Sequence, residues 1–127
     1  MIERVFPPGV VTPRGPYSPA VKAGGFIFVS GQVPIDPSTN EFSYGDIQHE
    51  TRRTLENIRM ILEGCGATMQ HVVKCNVYLA DERDFPKMNE VYVSFFGDDK
   101  PARTTVGCRF HNSRMKVEID AIAYVGD

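Results

Sequence analysis

Two residues near the C-terminus, Arg103 and Glu118, have the types and spacing to act on a small anionic molecule. Arg103 precedes a β-branched run and Glu118 lies inside the next alternating segment, so pairing of these two predicted strands would bring both side chains to one cleft. A guanidinium grips a carboxylate through two parallel hydrogen bonds. A glutamate can hold and activate water. The pair therefore predicts a site where water attacks a carboxylate-bearing substrate.

Both residues also have an ordinary structural interpretation. Arg103 would be a surface arginine, and Glu118 a charge on the solvent face of its strand. However, Arg103 directly follows Pro101-Ala102 at a strand edge, where sites are often built. Glu118 shares its strand face with Ile122 and Tyr124, which predicts partial burial. Burial of a carboxylate is costly, so a partly buried one is expected to have a hydrogen-bond or ion-pair partner or a functional role.

Four further residues are candidates for substrate contacts: Tyr17, Ser30, Gly31 and Asn89. The Ser30-Gly31 pair ends a strand that is apolar on both faces, and a glycine there lets a ligand approach the backbone N–H. A simple β-bulge is an equally good interpretation. Tyr17 lies in a proline-rich loop and either covers a ligand or anchors the loop. Asn89 lies mid-helix and either caps a loop or reaches into a site.

Metal, nucleotide and disulfide chemistry have little support. The histidines His49, His71 and His111 are scattered, and Cys108 with His111 is a single pair, short of a zinc-binding set. The chain has no glycine-rich phosphate loop. Its three cysteines follow no regular spacing, which predicts a reducing, cytoplasmic location rather than a disulfide framework. We therefore expect neither a metal nor a cofactor.

The chain length, the net charge and the hydrophobic pattern limit the kinds of partner that the protein is expected to bind. A length of 127 residues predicts one domain, residues 1–127. The net charge of −2 gives no sign of nucleic-acid or membrane-surface binding. No apolar run approaches the roughly 20 residues of a membrane helix, and residues 1–8 lack the apolar core of a signal peptide. We expect a small-molecule ligand, no nucleic acid and no membrane.

Hydrophobic periodicity predicts the elements that position these residues. Residues 6–19 are rich in proline and glycine and predict an ordered loop, and turns are predicted at Gly24-Gly25 and at residues 36–40. The remaining segments predict strands Ala20–Ala23, Phe26–Ser30 and Val72–Leu79, helices Ile47–Cys65 and Phe85–Phe96, and strands near Thr104–Arg109 and Lys116–Val125. Helical spacing predicts an apolar inward face on each helix, formed by Ile47, Thr51, Leu55, Ile58, Leu62 and Cys65 in the first and by Phe85, Met88, Tyr92, Phe95 and Phe96 in the second. The order β-β-β-α-β-α-β-β indicates an α+β fold with a mixed sheet.

Two helices can cover only one face of such a sheet. The segment Phe26–Val29 is nevertheless apolar on both faces, and the last strand carries Ile122 and Tyr124 opposite its main apolar face, which extends to Val125. An uncovered apolar sheet face implies a partner. We expect this face to join copies of the chain, giving a particle well above 14.2 kDa.

Five short motifs together resemble the reactive intermediate deaminase (RidA/YjgF) family. They occur in family order along nearly the whole chain: Gly15-Pro16-Tyr17-Ser18, Ser30-Gly31-Gln32, Asp84-Phe85 with Asn89, Pro101-Ala102-Arg103, and Val117-Glu118-Ile119. The resemblance implies a chorismate-mutase-like fold, a mixed sheet with two helices packed on one face. It also implies a homotrimer, in which three open sheet faces form a central barrel and the sites lie in the clefts between subunits.

The same resemblance implies cofactor-free hydrolysis of enamine or imine intermediates, such as 2-aminoacrylate, to a 2-keto acid and ammonia. Arg103 would bind the substrate carboxylate, and Glu118 would orient the water together with a main-chain carbonyl near Thr105. Further substrate contacts would come from Tyr17, Ser30, Gly31, Asn89 and Thr105. Tyr17 would close the pocket, and Asn89 would support the site.

The chain departs from the family pattern at two places. Thr105 stands where many relatives have cysteine or alanine, and residues 109–114 replace a Leu-Pro segment near the pocket mouth. Binding of a 2-keto acid without turnover and deamination of a larger, aminomuconate-type substrate stay open. Ribonuclease activity, reported for some relatives, is disfavoured by the net charge and the lack of a basic stripe. Cys108 is interpreted as structural, since nothing in the sequence indicates a lowered pKa.

Overall fold

The computed structural model describes residues 1–126. These residues form a six-stranded mixed sheet, a separate two-stranded hairpin and two α-helices that lie on one face of the large sheet. The helices are α1 (Ile47–Gly64) and α2 (Phe85–Phe96). The strands are β1 (Glu3–Val5), β2 (Ala20–Ala23), β3 (Phe26–Gln32), β4 (Ile35–Asp36), β5 (Glu41–Phe42), β6 (Val72–Leu79), β7 (Ala102–Gly107) and β8 (Val117–Tyr124). The predicted α+β class, a mixed sheet with two helices, is confirmed, and the order α-β-α-β-β from the first helix onward is as predicted, whereas five strands rather than three precede that helix.

The order of strands in the large sheet decides where the candidate residues lie. It runs β1-β2-β3-β8-β6-β7, and every neighbouring pair is antiparallel except β6 and β7. The parallel pair is joined through α2, as a parallel connection requires a crossover. The last strand therefore inserts between β3 and β6, and β6 separates β8 from β7.

The core lies between the sheet and α1. The carboxylate of Asp46 caps the helix by accepting a 2.8 Å hydrogen bond from the His49 backbone N–H. The predicted inward positions of the helix are buried, among them Leu55, Ile58 and Leu62. They pack against the alternate residues of β8, and each of these side chains loses essentially all contact with solvent. Burial of this apolar stripe fixes the helix on the sheet.

Four details differ from the sequence prediction. Strand β1 and the β4–β5 hairpin were not predicted, because segments of two or three residues are too short for periodicity to register. Strand β7 begins at Ala102, so Arg103 lies within the strand rather than just before it. Val125 follows the end of β8 and is exposed, and Phe85 is 40% exposed instead of lying in the core.

The uncovered face of the sheet carries an apolar patch. Phe26 and Phe28 of β3 lie opposite Tyr124 and Ile122 of β8, with ring centroids 4.9 Å apart for Phe26 and Tyr124. Phe26, Phe28 and Tyr124 are 39%, 43% and 42% exposed in the single chain. The expectation of an apolar second face is confirmed, and the partner that would cover it stays a prediction.

We predict that Glu50→Ala lowers the free energy of unfolding by ~2–4 kcal/mol, since a buried backbone donor without an acceptor is costly. Glu50 is fully buried on α1, and its carboxylate accepts hydrogen bonds from the backbone N–H groups of Lys116 (2.7 Å) and Gly45 (3.2 Å). It thereby ties the segment before β8 to α1. Urea unfolding at one fixed protein concentration measures the change. The matched exposed variant Glu63→Ala should stay close to wild type, and equal stabilities for the two variants would contradict this role.

Candidate active site

The predicted site residues fall into two groups on opposite faces of the sheet. In β6, Cys75 pairs with Arg103 of β7, whereas Tyr78 pairs with Glu118 of β8. Side chains alternate along a strand, so residues 75 and 78 point to opposite faces. Arg103 therefore lies on the helix-covered face and Glu118 on the open face. The expectation that these residues meet through pairing of their strands is wrong for the single chain, because β6 lies between β7 and β8.

The first group surrounds the guanidinium of Arg103. Its Nη1 donates a 2.8 Å hydrogen bond to Asn89 Oδ1, and its central carbon lies 5.4 Å from the ring centroid of Phe85 and 4.7 Å from that of Tyr92. These contacts orient the cation through a hydrogen bond and two cation–π interactions. Within residues 1–126, no carboxylate lies within 4.0 Å of the Arg103 nitrogens. The guanidinium is held in place and keeps donors for an anion.

The two ionisable side chains next to Arg103 on this face, Cys75 and Tyr92, are uncharged near pH 7. Burial raises the pKa of Cys75, which pairs with Arg103 across the two strands, to about 11. Burial, followed by the neighbouring Cys75, also raises the pKa of Tyr92. Both groups therefore keep their protons, and neither supplies a negative charge that would compete with a ligand for Arg103.

Thr105 belongs to the same group. It pairs with Val77 and so shares the helix-covered face with Arg103. Its hydroxyl oxygen is buried and has no hydrogen-bond partner in the part of the chain that the structure describes. Buried hydroxyls are normally satisfied, so this group is available to a ligand, a water or a second chain.

The second group lines a cavity of about 420 Å³ on the open face. Tyr17, Ser30, Gly31 and Glu118 all contribute to its wall. The registers Val29 to Ala121 and Gln32 to Ile119 place Ser30-Gly31 in a bulge of β3. Glu118 lies directly over this bulge, and a Cβ at Gly31 would overlap its Oε2. The glycine and the bulge together make room for the carboxylate beside the cavity.

The carboxylate of Glu118 differs from its neighbour Asp120. Desolvation by burial, and then the charge of Asp120, raise the pKa of Glu118 above its ordinary value. Asp120 instead accepts hydrogen bonds from the Asn76 side chain (3.0 Å) and the Tyr78 hydroxyl (3.2 Å). Asp120 is therefore committed to the sheet, whereas Glu118 has the perturbed character of a functional carboxylate.

Tyr17 is held by its own loop. Its backbone N–H donates to the Gly15 carbonyl (2.9 Å), and its hydroxyl accepts from the Arg14 backbone N–H (3.3 Å). Ser30 fixes the end of this loop, since its hydroxyl donates to the Ser18 carbonyl at 2.6 Å. Tyr17 remains 47% exposed beside the cavity. The arrangement leaves the ring free to cover a ligand, while Ser30 mainly positions the loop.

Cys108 lies on the other side of Glu118, in a smaller cavity shared with Tyr78 and Phe110. Burial, and then the charge of Glu118, raise the pKa of the Cys108 thiol. A raised pKa lowers the thiolate fraction, so Cys108 is not an activated nucleophile. This agrees with its interpretation as a structural residue.

Sequence reasoning missed two features of these groups. Phe85 was predicted to lie in the core, but it is exposed and its ring lies against the Arg103 guanidinium. Tyr92 is buried as predicted, and its ring also contacts that guanidinium, which the prediction did not include. The spacing of Phe85, Asn89 and Tyr92 on one helix face was the available signal. Arg14, at the rim of the cavity of Glu118, was not singled out at all.

Residues 1–126 contain neither a metal-binding cluster nor a membrane-spanning helix. No group of three or more His, Cys, Asp or Glu side chains is placed to hold a metal ion. The two helices are also too short or too polar to cross a membrane.

Fold and site together define a small α+β protein that presents an oriented arginine on one sheet face and a partly buried glutamate on the other. The family model described as "Endoribonuclease L-PSP" matches residues 10–125. A RutC family protein of Pyrococcus horikoshii is 50% identical over 124 residues, covering 98% of each chain.

Solved structures also show the similarity of this chain to the family. A protein of the conserved Rid family from Yersinia pestis superposes with a TM-score of 0.93 at 31% identity, covering 98% of this chain and 100% of that chain. E. coli TdcF, solved with bound serine, gives a TM-score of 0.89 at 33% identity and covers 96% and 98%. The chain belongs to the RidA/YjgF family.

Proposed function

We propose that this protein is a cofactor-free hydrolase that converts enamine and imine intermediates of the 2-aminoacrylate type into 2-keto acids and ammonia. The observation that carries the proposal is the oriented Arg103 guanidinium, which has no carboxylate partner within residues 1–126. A planar guanidinium in this condition is suited to the carboxylate of a 2-imino acid.

Hydrolysis of an imine requires little more than a water molecule held next to the imine carbon. Arg103 binds the substrate carboxylate and fixes the imine carbon. Glu118 accepts a proton from the water molecule as the water oxygen bonds to the imine carbon, and it then returns this proton to the nitrogen. The C–N bond of the resulting carbinolamine then breaks, ammonia leaves and the keto group forms. Holding water against the imine carbon is a proximity effect, supported by general base catalysis.

The two groups would act together only across a subunit boundary. Arg103 and Glu118 lie on opposite faces of the sheet, so one chain cannot apply both to one small substrate. The apolar patch of Phe26, Phe28 and Tyr124 supplies a surface for association. We propose the homotrimer implied by the family resemblance, with Arg103 of one subunit facing the cavity of Glu118 in the next. The serine bound to E. coli TdcF supports recognition of a small amino-acid-like ligand.

A coupled assay tests the activity. A serine dehydratase generates 2-aminoacrylate, semicarbazide traps the free imine, and the loss of trapped product reports hydrolysis. Addition of the protein should reduce the trapped product and raise the keto acid in proportion. If the folded, assembled protein leaves the trapping yield unchanged with both 2-aminoacrylate and 2-iminobutyrate, the proposed activity is wrong.

Binding without turnover is the second candidate, favoured by the serine-bound relative. Calorimetric titration with 2-oxobutyrate separates the two functions when it is combined with the assay. Binding that depends on Arg103, without any acceleration of imine hydrolysis, would assign the binding function. Acceleration that also depends on Glu118 would assign the enzyme.

We predict that Phe28→Asp converts the assembled protein to species near 14.2 kDa and removes its imine hydrolysis. A charge in an apolar contact is strongly unfavourable, and dissociation would separate the two halves of the site. Light scattering after gel filtration measures the mass. Phe28→Leu keeps the contact apolar and should remain assembled. An active Phe28→Asp monomer would contradict the shared site.

A further inference from the structure

Arg14 is the only basic residue that lines the cavity of Glu118 within residues 1–126. It lies in the loop that carries Tyr17, on the same cavity wall. Arg14 has no role in the proposed hydrolysis, because Arg103 already binds the α-carboxylate of the substrate. Its environment nevertheless differs from that of a freely moving surface arginine.

Two contacts hold the Arg14 guanidinium. Its Nη2 donates a hydrogen bond to the backbone carbonyl of Asn40, and its central carbon lies 5.0 Å from the ring centroid of Phe42. The ring of Phe42 stacks in turn on Tyr44, with centroids 5.3 Å apart. A stacked aromatic face and a carbonyl restrict the guanidinium without neutralising it.

Asn40 fixes this arrangement through its backbone. It has a φ of 58°, the only positive φ of a non-glycine residue within residues 1–126. In this conformation its carbonyl accepts from Arg14, and its side-chain oxygen accepts a 2.9 Å hydrogen bond from the Thr12 backbone N–H. The β4–β5 turn thus holds the start of the Tyr17 loop at two points. Strained backbone of this kind persists where surrounding contacts select it.

The guanidinium has no ionic partner of its own. No carboxylate within residues 1–126 lies within 4.0 Å of the Arg14 nitrogens, although Glu118 lines the same cavity. The cavity of about 420 Å³ falls within the ~300–1,000 Å³ range of ligand pockets and exceeds what a three-carbon imine needs. The cavity of Glu118 therefore offers both an oriented cation and room for a substrate larger than three carbons.

We propose that Arg14 binds a second acidic group, so that the preferred substrates are 2-imino acids with a distal carboxylate. This inference rests on the proposed hydrolysis and names its substrate class. The α-carboxylate binds Arg103 of one subunit, the imine carbon lies at Glu118, and the distal carboxylate binds Arg14. Arg14 is a specificity-determining residue in this arrangement and takes no part in proton transfer.

Equilibrium binding to the assembled protein tests the inference with stable keto-acid products. Calorimetric titration gives dissociation constants for 2-oxoglutarate and for 2-oxobutyrate, and their ratio is the readout. Wild type should bind 2-oxoglutarate more tightly. Arg14→Gln should reduce that preference by about tenfold, since a charge-assisted hydrogen-bonded pair is lost. Arg14→Lys should retain part of it, because lysine keeps the charge without the planar fork.

The control variant is Arg52→Gln, which removes the same charge from an exposed position of α1 outside the cavity and should leave the ratio at its wild-type value. A wild-type protein without preference for 2-oxoglutarate, or a ratio that Arg14→Gln leaves unchanged, would overturn the role of Arg14. These outcomes are read from binding alone. Failure of the proposed hydrolysis would instead appear in the 2-aminoacrylate assay.

Discussion

Replacing Arg103 with alanine should lower kcat/KM for 2-aminoacrylate hydrolysis by about 10²–10³-fold, since each hydrogen bond to a charged group contributes about 1.5–3 kcal/mol. The loss should be large because the guanidinium is already oriented by Asn89, Phe85 and Tyr92, so its binding energy is not spent on ordering the side chain. Initial rates over a range of substrate concentrations measure the effect.

Two further variants make this result specific. Arg103→Lys should recover only part of the activity, because an ammonium offers no planar pair of donors. Arg52→Ala removes an arginine from the exposed side of α1 and should behave as wild type. Circular dichroism and the particle mass show whether each variant is folded and assembled. Wild-type kcat/KM in a folded Arg103→Ala protein would remove the carboxylate clamp from the mechanism.

The longer elements were predictable from sequence because each has a clear period. The segment Val72–Leu79 alternates over eight residues, and Phe85–Phe96 repeats at helical spacing up to Gly97, so their predicted bounds match those of the structure. Glu3–Val5 was missed because three residues carry no measurable period. Phe85 was wrongly predicted to lie in the core. Periodicity shows that a helix face is apolar, but it does not show whether that face packs against the core or against a cation such as Arg103.

The residues of the candidate site could be singled out from the sequence, but their arrangement on the sheet could not. Residue types and the motifs around Arg103 and Glu118 singled out both residues, and the structure brings each together with other predicted residues. Their separation onto two faces depends on the insertion of β8 between β3 and β6. Strands that follow each other along the chain are often neighbours in a sheet, and here that general tendency gives the wrong pair.

Glu118→Gln should lower kcat for imine hydrolysis by about 10²–10⁴-fold, the usual contribution of a positioned general base. Glutamine nearly preserves the shape that packs over Gly31 but cannot accept the proton from water. Binding of 2-oxobutyrate should be much less affected, because Arg103 holds the carboxylate. Rate assays and calorimetric titration of the same preparation separate the two effects. Unchanged kcat would exclude Glu118 as the base.

The same substitution should change how stability depends on pH. Burial and Asp120 raise the folded-state pKa of Glu118 above its unfolded value, so the folded state binds the proton more tightly. The stability linked to this proton is fully present below the unfolded pKa and is lost as pH rises through the folded pKa. Glutamine does not titrate, so Glu118→Gln does not lose this stability as pH rises. The Tm of the variant minus the Tm of wild type should therefore increase between pH 4 and pH 7. For the same reason, the acidic limb of wild-type activity should lie above the ordinary glutamate pKa.

Mixing the two inactive variants gives the strongest test of a shared site. Each subunit of Arg103→Ala retains Glu118, and each subunit of Glu118→Gln retains Arg103. If one subunit supplies the arginine and its neighbour the glutamate, random reassembly of an equal mixture should restore about a quarter of the sites, as expected for a ring of heterologous interfaces. A site contained in one chain would remain inactive in every mixture. Recovery of activity after denaturation and refolding together, but not after refolding apart, would therefore place catalysis between two copies of this chain.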